Sequence, residues 1–141
     1  MKFENKSNKE RQTKALQTFC KEYGLGFIEN KDYSALDAKI GKGNKLIGQV
    51  EVKGVHSNYE DKDYVVVSMR KMVDCQTEQI KSKKPVVIIW AFNDCIAYQN
   101  LEKLSGEFYF GGRKKRKGST HDIELMVKID KQKLIKIENN K

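Results

Sequence analysis

The stretch SALDAKIGKGNKLIGQVEVKG, residues 34–54, decides how this chain is read. Side chains of a strand alternate between two faces. With the pattern extended back to Asp32, Leu36, Ala38 and Ile40 fall on one face and Tyr33, Ala35, Asp37 and Lys39 on the other. Gly41-Lys42-Gly43-Asn44 carries strong turn chemistry, and Leu46 to Lys53 returns as a strand with Ile47, Gln49, Glu51 and Lys53 on one face. The two segments read as a hairpin, and if their polar faces coincide, Asp37, Glu51 and Lys53 meet.

Such a meeting has chemical content. Hydrolysis of a phosphodiester with a hard metal ion needs oxygen ligands converging on one point, and beside them a group that positions water or supplies positive charge. In this reading Asp37 and Glu51 hold magnesium, with manganese able to substitute, and the carbonyl of Val52 helps. Lys53 contacts the attacking water or the scissile phosphate. The tripeptide acid-x-lysine is itself cheap, occurring at Glu4/Lys6, Glu29/Lys31, Asp37/Lys39, Glu51/Lys53 and Glu60/Lys62. Only Asp37 and Glu51 lie in alternating runs, and only Glu51 has an acid on a preceding strand across a turn. The opposing reading is a solvated, salt-bridged hairpin face, worth little in stability.

Working outward, Ser7-Asn8-Lys9-Glu10 has the form of a capping box. Ala15, Leu16, Phe19, Cys20 and Tyr23 then recur at helical spacing until Gly24, predicting a helix over 8–23, and the apolar run 25–28 joins it to the sheet. Beyond a polar loop at 57–63, Tyr64 to Val67 reads as a third strand, and Met69, Met72, Val73, Gln76 and Ile80 form one stripe of a second helix. Pro85 opens the continuous apolar run Val86 to Phe92, a central strand with Trp90 and Phe92 in the core, and Asn93-Asp94 turns into Cys95 to Tyr98. Further alternating runs lie at 107–110, 122–129 and 134–137. Phe108 and Phe110 share a strand face and read as core; Tyr109 and Phe110 would stack on bases if exposed. The order is helix, three strands, helix, strands: an α/β or α+β protein with a mixed central sheet flanked by helices.

These residues resemble the PD-(D/E)XK nuclease superfamily over roughly residues 8–92. The resemblance implies a restriction-endonuclease-like core in αβββαβ order with extra C-terminal strands. The family's metal-binding aspartate and its acid-x-lysine look like Asp37 in SALDAKI and Glu51 with Lys53 in GQVEVKG. Leu36 stands where the name-giving proline would precede the aspartate. Some branches add a glutamine on the following helix, facing the site, which Gln76 in DCQTEQ resembles; a boundary amide bonded to backbone is the alternative. The Holliday-junction-resolvase branch carries a glutamate on the first helix. Glu10 invites that role, although it lies off the apolar face and already suits the capping box.

Composition sets the partner class. With 141 residues the chain is long enough for one domain, 1–141, and short for two. At 38% hydrophobic and 33% charged it is too apolar for disorder, and no stretch is long enough to span a membrane. Three cysteines without a CxxC pair argue for reduced thiols in a cytoplasm, and His56 and His121 lack zinc-ligand spacing. A formal charge of +9 favours a polyanion, DNA first. The glycine-flanked run Arg113, Lys114, Lys115, Arg116 and Lys117 would neutralise backbone phosphates, the alternative being a solubilising loop. The leading expectation is a magnesium-dependent endonuclease of duplex or branched DNA, working as a homodimer whose two sites address both strands. A non-catalytic nucleic-acid-binding module is the second reading, and a basic assembly protein the third.

Overall fold

Helical spacing of Ala15, Leu16, Phe19 and Cys20 produces the buried stripe of α1 (Lys6–Tyr23). A computed structural model describes residues 6–31, 34–112 and 123–139; the basic run 113–117 and His121 lie outside the described residues. Because α1 already includes Lys6 and Ser7, Ser7 is not its N-cap and the capping-box reading fails. Residues 25–28, read as a joint, belong largely to a strand, β1 (Gly26–Glu29), which pairs antiparallel with β2 (Ala38–Lys42). The outer edge of β2 would otherwise present unpaired backbone groups, and β1 satisfies them.

The strand expected from Asp32 begins only at Ala38. Leu36 packs into a different core cluster from Ala38 and Ile40, so the chain bends at 35–37 instead of alternating through them. The hairpin pairs as read, β2 with β3 (Lys45–Gly54), and Gly43 takes φ 61° in the turn, a conformation a side chain would resist. Ile47, expected on the face of Gln49, Glu51 and Lys53, instead packs on the α1 side, because the register shift opposite Ile40 and Gly41 breaks the alternation there.

After β3 the chain makes β4 (Tyr64–Ser68), α2 (Met69–Ser82), β5 (Val86–Ala91) and β6 (Cys95–Asn100). It then adds β7 (Glu107–Gly112), β8 (Ile123–Asp130) and β9 (Ile135–Glu138). The main sheet has six strands in the order β1-β2-β3-β5-β6-β9, with β3 and β5 parallel and the other neighbours antiparallel. Every residue of β5 is buried, as its unbroken apolar run requires of a central strand. The third strand leaves this sheet: β4 joins β8 and β7 in a separate three-stranded sheet.

Two cores result. On one face of the main sheet α1 packs Leu16 and Phe19 against Ile40, Val50, Val87 and Ile89. On the other, Cys75 of α2 and Val65, Val67, Val127 and Ile129 of the small sheet pack against Ile88, Trp90 and Phe92. Phe108 and Phe110 join neither core; they are 64% and 79% exposed. Their strand is at the edge of the small sheet, and on β8 burial reaches only Val127 and Ile129.

Candidate active site

From Gln49 onward, odd residues of β3 face α2 and even residues face α1. Val50 and Val52 therefore pack with the α1 core, while Gln49 and Glu51 are buried on the opposite side with Lys53 half-buried beyond them. Asp37 stands just ahead of β2, whose pairing ends at Ala38–Val50, so β3 runs on past its neighbour with free backbone groups. Asp37 takes over that edge. Its N–H donates to the Val50 carbonyl at 3.1 Å, and its Oδ2 accepts from the Val52 N–H at 2.8 Å. Since a strand residue presents its N–H and C=O to the same neighbour, the Val52 carbonyl lies on this same open edge.

The carboxyls of Asp37 and Glu51 therefore converge, only 8% and 5% exposed. Burial, the neighbouring Asp37 charge and a hydrogen bond with Asp37 raise the Glu51 carboxyl from 4.5 to about 8, against the lowering pull of Lys71 and Lys53. Two acids placed this close in low dielectric resist ionising together unless a cation joins them. One cation is supplied by α2. Lys71 Nζ lies 3.5 Å from Glu51 Oε2 and 3.9 Å from Asp74 Oδ2, and donates to the Ala35 carbonyl at 3.0 Å. Glu51 Oε1 is left buried without a hydrogen-bond partner.

The carboxyls of Glu51 and Asp37 and the Val52 carbonyl are hard oxygen donors, the type that could hold a small divalent cation. Among the described residues no cluster of three or more His, Cys, Asp or Glu could hold a metal ion. A site with two carboxylates is still adequate for magnesium, which keeps several of its waters. Cys75 lies under Glu51 on α2, fully buried, its thiol pushed up to about 12 mainly by burial; it is inert.

The other residues singled out in the sequence fall elsewhere. Gln76 is exposed on α2; the inward positions are Cys75, the half-buried Lys71 and Met72, and Gln79, whose Oε1 accepts from the Val86 N–H at 3.1 Å. The stripe through Met69 and Met72 is thus rotated: Val73 and Ile80, expected on it, are exposed. Glu10 is exposed beside a shallow depression of about 220 Å³ that Arg11 and Asn93 also line. Arg113 to Lys117 lie outside the described residues. Two contributors escaped the sequence reading. Lys71 looks like a solvated helix lysine, and only its spacing of four from Cys75 hints that it points inward. Arg11 ties the end of β5 to the segment after β3, donating to the carbonyls of Ala91 at 3.2 Å and Val55 at 3.4 Å and to Asn93 Oδ1 at 3.0 Å.

The buried acid pair at the open edge of a β-hairpin, with a lysine two residues on, places this structure among the PD-(D/E)XK nuclease folds. A family model described as "Phage putative PDDEXK endonuclease" matches residues 2–137, and the chain belongs to that family. No curated protein sequence matches it. Among solved structures the chain is similar to Hjc, a Holliday junction resolvase from the archaeal hyperthermophile Archaeoglobus fulgidus. The TM-score is 0.58 at 13% identity, over 92% of this chain and 94% of that one, so the likeness is one of fold. The fold is thus the expected α+β, restriction-endonuclease-like one. No helix among the described residues is long and apolar enough to cross a membrane.

Proposed function

We propose that this endonuclease-family chain hydrolyses phosphodiester bonds of DNA, duplex or branched, with Mg2+ or Mn2+ held by Asp37, Glu51 and the Val52 carbonyl. The observation that carries the reading is the convergence of two buried carboxyls with Glu51 Oε1 left unpartnered. When bound, the cation supplies Lewis-acid stabilisation of charge developing on the phosphate. Lys53, half-exposed at the mouth of the adjoining cleft, adds a fixed positive charge beside the scissile phosphate or orients the water that attacks it. Lys71 holds Glu51 Oε2 at 3.5 Å and so fixes the carboxyl in place. Arg113 to Lys117 are assigned to the DNA backbone on charge alone.

Two copies acting together would address both strands, and the exposed Phe108, Phe110 and Ile123 of β7 and β8 favour association. Sedimentation equilibrium of the parent and of Phe110→Ser reads this directly; a monomeric parent removes the dimer.

The test of the activity is cleavage of linear, nicked, branched and single-stranded DNA with Mg2+, with Mn2+ and with chelator. The parent cuts only with metal, and Glu51→Gln and Lys53→Ala bind DNA but do not cut it. Cleavage by Glu51→Gln at the parent's rate overturns the site. Metal-independent binding without cleavage by the parent leaves the non-catalytic nucleic-acid module instead.

A further inference from the structure

Beyond Lys53 the main sheet and the small sheet diverge around a cleft of about 610 Å³. That volume is in the range of small-molecule sites. One wall comes from the end of β3 and the loop after it and carries Lys53, His56 and Lys62. The other comes from the small sheet and carries Tyr64, Tyr109 and Glu124. Cation at one wall and aromatic rings with a lone acceptor at the other is the complement of a nucleotide, which is anionic at its phosphate and flat and amino-bearing at its base.

The two tyrosines are not equivalent. Lys128 Nζ sits 4.3 Å from the centre of the Tyr64 ring and occupies one of its faces. Tyr109 is opposite Met126 in the ladder, and its ring lies against the backbone of Gly111. A Cβ on Gly111 would stand 2.6 Å from Tyr109 Cε2 and 3.0 Å from Met126 Cγ, so only glycine leaves room for this rotamer. The ring packs beside the Gly111 backbone and stays 37% exposed, so it offers surface on which a base can stack.

We propose that this cleft binds the nucleotide next to the scissile phosphate in unpaired form. Its phosphate lies on Lys53 and Lys62, its base against the Tyr109 ring, and Glu124 accepts from an exocyclic amino group. The inference rests on the nuclease reading above and adds a substrate class to it: DNA with an unpaired nucleotide at the cut. A base inside a duplex has both faces stacked and has none left for a protein ring. Glu124 would repel a phosphate, which sets the polarity of the bound nucleotide, and a carboxylate accepting from an amino group favours cytosine over thymine.

The experiment is fluorescence anisotropy in EDTA with labelled hexamers of dC and of dT and a blunt duplex of equal charge. The proteins are the parent, Tyr109→Ala, Tyr109→Phe and Glu124→Gln, each checked by thermal melting. Tyr109→Ala is expected to weaken single-strand binding by about tenfold and duplex binding by less than about twofold, with Tyr109→Phe close to the parent. Glu124→Gln removes the preference for dC. If Tyr109→Ala melts early, Tyr109→Leu keeps the packing on Gly111 without a π face and carries the same expectation. Unchanged single-strand binding, or equal loss on single strand and duplex, overturns the subsite. Cleavage by the parent with metal is read separately: no cleavage with Tyr109-dependent binding overturns hydrolysis alone, and cleavage with Tyr109-independent binding overturns the subsite alone.

Discussion

The two helices cover opposite faces of one sheet and do opposite things. α1 buries Ala15, Leu16, Phe19 and Cys20 and closes its face with apolar packing, whereas on α2 only Cys75 is fully buried. What α2 brings to the sheet instead is the ammonium of Lys71, set against a carboxylate and a carbonyl. Both faces carry an apolar core, but among the described residues only the α2 face also holds buried carboxyls. The cost of that charge is met by one cation and leaves an oxygen free for another. From Gln49 onward, β3 thus gives its even residues to apolar packing and its odd ones to the polar face.

The largest effect expected from this contrast is on the chemical face. Glu51→Gln should lower metal-dependent cleavage by about a thousandfold or more while the fold is kept, checked by single-turnover kinetics beside circular dichroism. On the packing face, Leu16→Ala empties a fully buried site and should cost about 3 kcal/mol in urea unfolding, with little change in activity per folded molecule.

Next comes the pH response of the metal-free protein. Because the folded chain holds the Glu51 proton up to about 8 and the unfolded chain releases it near 4.5, the folded state binds more protons between those values. Stability therefore falls as pH rises across that window. Glu51→Gln, which has no charge to bury, should flatten this fall and be the more stable protein at pH 9, by on the order of 2 kcal/mol in melts at pH 5 and pH 9. An identical pH profile in parent and variant would remove the buried-acid account.

Lys71 and Gln76 divide the roles on α2. Lys71→Ala should reduce cleavage by about tenfold with duplex affinity nearly kept, while Gln76→Ala, at an exposed position, should stay within about twofold of the parent. The smallest effect is at the end of the same helix, where Lys83 adopts φ 58° as the C-cap. Lys83→Gly relieves that left-handed backbone and should stabilise by about 0.5 kcal/mol with activity unchanged.

Much of this architecture was legible because local patterns carried it. The Gly43 turn between alternating runs marked the hairpin, the unbroken apolar run Val86 to Phe92 marked the central strand, and Ala15, Leu16, Phe19 and Cys20 marked a packing helix. The failures have specific causes. Leu36 breaks the alternation ahead of Asp37 because two cores compete for neighbouring residues. The stripe assigned to Gln76 was rotated because Val73 and Ile80 are apolar yet exposed, and hydrophobicity alone cannot separate an unpartnered face from a packed one. Phe108 and Phe110 misled for the same reason, at the edge of a sheet whose core ends before them.

Residue order alone settled which groups were available: two acids and a lysine at strand spacing across a tight turn, in a basic chain. Whether they meet depended on contacts between residues far apart in sequence. The Asp37 carboxylate caps the Val52 N–H where β2 ends, and the Lys71 side chain descends from α2 onto Glu51. Periodicity records which face a side chain takes on its own element. It contains nothing about which element ends short, or which helix turn comes to rest above the gap.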